Sequence, residues 1–583
     1  MSVVLGVSCH YHDSAAALLH DGALVAGAQE ERFSRRKGDA RLPVHAMRFC
    51  VDSAGLDAGD VDYVAFYEKP LLKLERTLAS MRRAWPASAS VARASMSNWM
   101  RSRLWIRDSL SRAAGVPPDR VLFVRHHESH AASAALCAPF DESAVLTIDG
   151  VGEWATAAIG RATTPRTGGG ASSIDLDLEL RFPHSIGLFY SALTQFLGFE
   201  VNEGEYKVMG LAAYGEPRFR SAFDRVVRLH ADGSVELALE YFGFLTSLER
   251  MFSPRLADLL GVQPREPSAP FDVDNPAGTD AVYADIAASV QELTEDVVVA
   301  MARQANRRAG SRNLTMAGGV ALNGIANRRV LDEAGFDNLF IQPAAGDGGG
   351  SLGAALFVEH VVLGRPRAFV MEDAYWGAEY GDDEIEAALR REGVDAERLD
   401  DDERLAELVA SELVEGRIVG WFQGRFEWGP RALGNRSILA DPRDPAMKAT
   451  VNARIKYREP FRPFAPSMLR EHAGEFVDER YLGQQPSKFM LMVLPALGEA
   501  GERIAAAVHG GTLRIQAVDS EVNPAYARVL GAFCERTGVP GVLNTSFNLK
   551  GEPIVASPAD ALSTFARSGI DTLVMGSHVV SKH

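Results

Sequence analysis

Residues 125–154 read RHHESHAASAALCAPFDESAVLTIDGVGEW. His126 and His130 stand four positions apart at the start of an alanine-rich, helix-favouring run. Positions i and i+4 share one face of a helix, so both imidazoles are expected to point at one place. An apolar, strand-like run then ends at Asp149 in an Asp-Gly turn. Two histidines and a carboxylate are a ligand set for Fe(II), Mn or Zn with positions left open for substrate. Taken alone, HxxxH is as readily a helical turn packed against a loop. The rest of the chain decides between these readings.

The same grammar of strand, Asp/Gly turn and strand occurs near the start of the chain. Residues 5–22 (LGVSCHYHDSAAALLHDG) and 146–160 (LTIDGVGEWATAAIG) read as two copies of one device about 140 residues apart. Paired hairpins that cradle phosphates mark the actin/Hsp70/sugar-kinase fold, where turn N–H groups face phosphate and a carboxylate faces the metal. That fold needs a strand, a Gly-Gly step and a helix near the nucleoside, and residues 314–327 (LTMAGGVALNGIAN) supply them through Gly318 and Gly319. Asp347, in QPAAGDGGGSLGAAL, is expected in a glycine-rich turn opening a helix over 352–361, and is the candidate fourth ligand. A helix N-cap is the plainer reading of it. Lys207, with Glu203 and Glu205, lies between an apolar helix and KVMGLAAYG, either in a cleft or on a solvated turn.

Around these elements, residues 29–37 (QEERFSRRK) read as a loop, 44–54 as a helix and 61–67 as a strand. Residues 70–115 look helical, with a place for acceptor specificity, and 218–280 look like an irregular insertion. A composition shift near residues 363–366 divides the chain into domains at 1–364 and 365–583. In the second domain, Arg425, Arg431, Arg436, Arg443, Lys448, Arg454, Lys456, Arg458 and Arg462 are interleaved with Gly, Pro, Trp and Phe. Such a cluster suits a phosphate pocket, since guanidinium pairs with phosphate oxygens in a fork, although salt bridges to Glu427, Asp441 and Glu459 would also use it. Arg514 is expected on a strand. Asn544 and Ser546, in NTSFN after an apolar strand, suit a small planar polar group.

The formal charge of −16 disfavours broad binding to nucleic acid or an anionic membrane. No run of eighteen apolar residues predicts a membrane span, and no cationic, apolar leader opens the sequence. Cys9, Cys50, Cys137 and Cys534 are scattered, without a CxxC pair. The expectation is a cytoplasmic protein with reduced thiols.

With YHDSAA, EERFSRRK, HHESHAASA, TIDGVGE, EYKVMGLAAYGEP, AGGVALN, PAAGDGG, WGPRALGNRSILADPR, FRPFAP and LNTSFNLKGEPIV in view, the chain resembles the O-carbamoyltransferases of antibiotic and nodulation-factor biosynthesis over residues 3–575. The resemblance implies an α/β architecture. An actin/Hsp70-like N-terminal domain with duplicated βββαβα halves, similar to the tRNA threonylcarbamoyl transferase, precedes a C-terminal α/β YrdC-like domain that forms carbamoyladenylate. ATP and carbamoyl phosphate, with Mg2+, would react in the second domain. The first, carrying Fe2+ or another divalent metal, would pass the carbamoyl group to a hydroxyl of a natural product. The resemblance implies metal positions at His126, His130, Asp149 and Asp347 and an essential histidine at His12. It places Gly150, Gly318, Gly319, Asn323 and Lys207 on the adenylate in the first domain. It also places Arg431, Lys456, Arg462, Arg514, Asn544 and Ser546 on carbamoyl phosphate and ATP in the second. A homodimer is compatible with it. The rivals are a small-molecule kinase of the same fold, which would release ADP and not AMP, and a nucleotide-binding scaffold, which has no need of four metal ligands. A tRNA-modifying role fits the acidic charge poorly.

Overall fold

The computed structural model describes residues 2–166, 170–267, 269, 271, 278 and 280–582. It forms two compact units: Met1–Gly27 with Ala40–Val370, and Ala28–Asp39 with Met371–His583. The run expected as a loop at 29–37 ends a strand and forms one helical turn, Glu31–Ser34. It clusters with the second unit because its arginines find acceptors there. Arg32 donates to the Gly429 carbonyl at 2.8 Å, and Arg35 donates to those of Ile554 and Pro553 at 2.7 and 2.9 Å.

The first unit holds two five-stranded sheets. One comprises β1 (Val3–Ser8), β2 (Ala15–His20), β3 (Ala23–Gln29), β4 (Tyr63–Phe66) and β5 (Val121–Phe123), in the order β3-β2-β1-β4-β5. The other comprises β6 (Glu142–Ile148), β7 (Ala155–Thr163), β8 (Ser173–Arg181), β11 (Asn313–Ala317) and β12 (Asn338–Phe340), in the order β8-β7-β6-β11-β12; a small hairpin, β9 (Val227–Leu229) with β10 (Val235–Leu237), comes between in sequence. In both sheets the first strand pairs antiparallel with the second and parallel with the fourth, and the fourth pairs parallel with the fifth. The turn between β2 and β3 has Asp21 and Gly22 both left-handed (φ 50° and 80°), as a two-residue hairpin requires. All six residues of β1 are buried, as are six of the seven in β6. Each is a central strand, and side chains on both faces leave water.

Helices over these sheets carry the site. Asp347 does not lie in a turn: it is the first residue of the helix Asp347–Leu356, which begins five residues earlier than expected. The glycines that suggested a turn instead allow close packing. A Cβ at Gly353 would sit 1.8 Å from the Ser129 carbonyl oxygen, so this helix and the helix His126–Ala135 meet backbone to backbone. Residues 70–115 do fold as helices (Pro70–Arg83, Ala89–Arg101, Ile106–Ala114), burying Met81, Trp99, Ile106 and Leu110. Within the stretch expected to be irregular, 218–280, residues 268, 270, 272–277 and 279 lie outside the described residues, and the described part is more ordered than its sequence suggested. It contains the β9–β10 hairpin and the helix Pro254–Leu260, which bury Val227, Val235, Leu237 and Leu256.

The second unit is built on an eight-stranded mixed sheet. Its strands are β13 (Glu397–Arg398), β14 (Val419–Phe422), β15 (Arg436–Ala440), β16 (Ala465–Leu469), β19 (Gln516–Val518), β20 (Gly541–Ser546), β21 (Thr572–Met575) and β22 (His578–Ser581). Their order is β13-β22-β21-β14-β15-β20-β16-β19, with β17 (Leu494–Pro495) and β18 (Thr512–Leu513) pairing separately. Arg514 lies between β18 and β19 and not on a strand. Trp421 and Phe422 of β14 are buried in the core. Among the described residues no helix is long and apolar enough to cross a membrane.

Candidate functional site

His126 opens its helix and His130 follows one turn later, so their rings meet edge to face with centroids 4.5 Å apart. Their Nε2 atoms are 3.1 Å apart. Asp149, at the end of β6, brings Oδ2 to 3.0 Å from His126 Nε2 and 3.8 Å from His130 Nε2. Asp347 brings Oδ1 to 3.4 Å from His130 Nε2 and 3.7 Å from His126 Nε2. One ligand atom from each of the four lies within 4.8 Å of the others, and all four residues are buried.

Two imidazole nitrogens and two carboxylates so close, away from water, need a shared positive charge. Without an ion, protons supply it. Burial opposes a charge on His130, yet Asp149 and Asp347 outweigh it and push the imidazole up to about 9. Burial also opposes ionisation of Asp149, but His126 and His130 hold its carboxyl well below the usual range. Asp347 is held low against burial and against Asp149 by His126, His130 and His12. A donor set of two imidazoles and two carboxylates fits a divalent cation, which would replace these protons. Among the described residues the buried Nδ1 atoms of His126 and His130 have no hydrogen-bond partner, so the rings are held by packing and by their Nε2 contacts, without the usual outer partner.

The frame around the four is specific. Both carboxylate oxygens of Glu153 accept from the backbone N–H of His126, at 3.0 and 3.2 Å, and fix the start of its helix. At the other end, Arg367, fully buried, donates to the carbonyls of Ala138 at 2.7 Å, Leu136 at 3.3 Å and Phe140 at 2.9 Å. The Gly319 N–H donates to Asp149 Oδ1 at 2.9 Å, which turns Oδ2 toward the histidines. Gly318, at φ 96°, has no room for a Cβ, which would fall 2.2 Å from the Ile148 carbonyl. Ser185 Oγ donates to the Gly150 carbonyl at 2.7 Å and closes the same turn. His127 is neutral and structural: its ring bridges Thr147 Oγ1 at 2.7 Å and the Ala155 carbonyl at 2.9 Å. Burial, aided by His126 and His130, pushes it down to about 3.

His12 sits in the loop after β1, a quarter exposed, with Nδ1 2.9 Å from Asp13 Oδ2. Burial opposes its charge, but Asp13, Asp347 and Asp149 together push it up to about 9. His10 and Asp13 on either side are left-handed (φ 72° and 50°), and Arg103 donates to the His10 carbonyl. Asn323 caps the helix Gly324–Glu333 and is tied to Gln291 at 3.0 Å. Lys207, on the helix Glu205–Ala212, lies 5.4 Å above the Phe199 ring. Glu153, Arg367 and Asp13 were not singled out in the sequence. The first and last lie within the quoted motifs TIDGVGE and YHDSAA, whereas nothing local marks Arg367.

In the second unit the expected cationic cluster disperses. Arg443 pairs with Asp441 at 2.7 Å, Arg454 with Asp571, and Arg436 is buried on four backbone carbonyls above the Phe422 ring. Five of the six proposed ligand residues are tied by contacts or sequence to two places along β20. Asn544 Nδ2 donates to Ser467 Oγ at 2.9 Å and to the Ala432 carbonyl, next to Arg431, at 3.2 Å. Gln516, two residues after Arg514, donates to the Leu433 carbonyl at 2.7 Å. Ser546, on the same strand face as Asn544, meets Lys456, whose Nζ also donates to Asn548 Oδ1 at 2.9 Å. Burial, then Arg458 and Arg462, holds Lys456 well below the usual lysine range. Glu427, expected to pair with arginines, instead accepts from the N–H groups of Leu433, Asn435 and Arg436 at 2.8, 2.9 and 3.1 Å and shapes the loop that carries Arg431. Arg462 lies 3.7 Å from Glu459.

Comparison with known proteins matches residues 3–356 to the model of the carbamoyltransferase N-terminus and residues 410–582 to that of the carbamoyltransferase C-terminus. The chain is 43% identical to the uncharacterized protein sll1178 of Synechocystis sp., covering 100% of this chain and 97% of that one. It is 37% identical to the nodulation protein NolNO of Sinorhizobium fredii, covering 98% and 79%. With the 3'-hydroxymethylcephem-O-carbamoyltransferase of Streptomyces clavuligerus it shares 31% identity over 52% of this chain and 54% of that one. Among solved structures, component A of the (R)-2-hydroxyglutaryl-CoA dehydratase of Acidaminococcus fermentans aligns with 61% of this chain and 97% of its own, at 15% identity and a TM-score of 0.32.

Proposed function

The chain belongs to the carbamoyltransferase family and is an enzyme of that class, and we propose that it is an ATP-dependent O-carbamoyltransferase acting on a hydroxyl of a small natural product. The buried convergence of His126, His130, Asp149 and Asp347 carries this reading. The matching strand order of the two sheets supports an actin-like first domain with duplicated halves, at residues 1–364. Residues 365–583 are the YrdC-like, adenylate-forming domain. The relatives named for nodulation and for a cephem suggest a natural-product acceptor.

In the second domain, water hydrolyses carbamoyl phosphate to carbamate and phosphate. A carbamate oxygen then attacks the α-phosphorus of ATP, breaking its bond to the β-phosphate bridging oxygen and expelling pyrophosphate; Mg2+ would accompany the ATP and offset its charge. Arg431, Lys456, Arg462 and Arg514 bind these anions, with Asn544 and Ser546 on the carbamoyl group. The product, carbamoyladenylate, is a mixed anhydride with AMP as leaving group.

In the first domain, His126, His130, Asp149 and Asp347 would hold Fe2+ or another divalent cation, which supplies Lewis-acid polarisation of an oxygen when bound. Asp13 holds His12 by Nδ1, and a cation held by Asp149 and Asp347 would offset two of the acids that raise this imidazole. Its neutral form then presents Nε2 to take the proton of the acceptor hydroxyl as that oxygen attacks the carbamoyl carbon and AMP leaves. Asp13 then stabilises the imidazolium. Motif position assigns Gly150, Gly318, Gly319, Asn323 and Lys207 to the adenylate. Gly319 N–H and the Asn323 amide are also used within the protein, on Asp149 and Gln291. The reaction is that of a cytoplasmic enzyme, and a homodimer is compatible with it.

Mass spectrometry of products from carbamoyl phosphate, ATP and a panel of alcohols tests the reading. It expects carbamate ester, AMP and pyrophosphate; ADP as the only nucleotide product would make the protein a kinase. His12→Asn should abolish transfer while carbamoyl-phosphate-dependent exchange of pyrophosphate into ATP persists. Loss of both would end the division of labour between the domains.

A further inference from the structure

The helix Pro70–Arg83 was left without a task by the reaction above. Its preceding residue, Lys69, donates its N–H to Glu153 Oε1 at 2.7 Å, and the same oxygen accepts the N–H of His126. One carboxylate thus joins the start of this helix to the start of the helix bearing His126 and His130. Positions 69, 73 and 76 follow i, i+4, i+7 spacing and share a face. Lys73 is occupied: it pairs with buried Glu68 at 2.5 Å and lies 5.7 Å over the Tyr11 ring, next to His12. Arg76, one turn on, lies with its Cζ 5.1 Å over the Phe182 ring, and Phe182 donates its N–H to the Trp154 carbonyl at 2.8 Å, in the loop that follows Asp149.

Among the described residues the Arg76 guanidinium makes no hydrogen bond and no ion pair, and its Nε is buried without a partner. The two carboxylates whose charges favour it most, Glu68 and Glu153, are committed to Lys73 and to the backbone of His126 and Lys69. Burial pulls Arg76 down to about 10. Geometry links the guanidinium to the four-residue cluster twice: Glu153 ties the start of its helix to His126, and Phe182, beneath the guanidinium, is hydrogen-bonded to Trp154, five residues after Asp149. A half-buried guanidinium without a counter-ion is costly unless an anion arrives.

We propose that Arg76 is the anion-recognising residue of the transfer site, taking a phosphate or carboxylate oxyanion of the substrate that reaches His126, His130, Asp149 and Asp347. The inference rests on the carbamoyl-transfer reading. The oxyanion is either the adenylate phosphate of the donor or an acidic group on the acceptor.

The test uses the full chain with Arg76→Gln, Arg76→Leu and Arg76→Lys, and paired alcohols of one skeleton, neutral and carboxylated. Arg76→Gln and Arg76→Leu should each raise KM at least tenfold with kcat changed less than twofold, and Arg76→Lys should recover part of the loss. A rise for the carboxylated alcohol alone assigns the anion to the acceptor; a rise for both assigns it to the adenylate. An unchanged KM for both alcohols, or a variant Leu as effective as Arg, overturns the proposal. Titration calorimetry with AMP and with adenosine tests it without turnover: Arg76→Gln should weaken AMP at least tenfold at one site and leave adenosine alone if the donor is the source. If AMP is unaffected, the carboxylated alcohol must show the same loss in its own titration, and neither showing it sinks the proposal. Carbamoyl-phosphate-dependent pyrophosphate exchange by the parent protein separates the two failures, since its absence counts against the function and not against Arg76.

Discussion

The cluster in the first unit and the cationic locus in the second solve opposite electrostatic problems. His126, His130, Asp149 and Asp347 are fully buried and face one another, so their charges depend on each other and on whatever cation or proton they share. Lys456 is buried as well, yet its ammonium faces carbonyls, a hydroxyl and an amide without a carboxylate, while Arg431, Arg462 and Arg514 stay half exposed. The first site is closed by its own acids. At the second, the Lys456 ammonium meets neutral oxygens, which would suit ligands that bring negative charge and leave again.

The largest effect should come from breaking the first site. Asp347→Asn is expected to lower bound divalent metal and carbamoyl transfer by about a hundredfold or more. Elemental analysis beside a transfer assay checks it, and full metal content in the variant would contradict the ligand set. Gly353→Val attacks the frame and not the ligands. With a Cβ 1.8 Å from the Ser129 carbonyl, the two site helices must part, at a cost of about 3 kcal/mol in denaturant unfolding. Unchanged stability would show that the close approach is dispensable.

Glu153→Gln should be milder. It removes the negative charge at the start of the His126–Ala135 helix, costing about 1 kcal/mol of stability and lowering transfer several-fold while metal stays bound. Metal loss equal to that of Asp347→Asn would move Glu153 into the ligand set. The smallest effect distinguishes the second site. Lys456 titrates lower in the folded chain than the ordinary value of about 10.4, so the unfolded chain binds more protons between those values. Stability should therefore rise with pH across that window, by at most about 1.4 kcal/mol per pH unit, and Lys456→Met should lack the rise. A parallel pH dependence in both proteins would mean that the lysine is not desolvated.

Much of the first site was legible because its chemistry is local. HxxxH places two imidazoles on one helical face whatever the fold, and Asp149 ends a strand that its apolar run announces. Asp347 was legible as a residue and not as a conformation. GDGGG reads as a flexible turn, but from Asp347 on it is helix, since close packing of Gly349 against Ala344 and of Gly350 against Tyr67 selects residues without side chains. The arginine cluster is less legible, for the opposite reason. Density of charge along the chain does not tell which guanidinium meets Asp441 and which meets Asp571. Residues 218–280 looked irregular because their short strands and helix lack a repeating pattern long enough to read.

The sequence by itself determined the family, the α/β class, the two imidazoles of the His126–His130 face and the two acids that could join them. These follow from residue identity and short-range periodicity. Only the tertiary structure decided that Glu153 and Arg367 fix the two ends of that helix, that Gly319 turns Asp149, and that Arg76 is left beside the cluster without a carboxylate. Each depends on partners tens to hundreds of residues away, and it is burial, not spacing, that makes an unpaired charge informative.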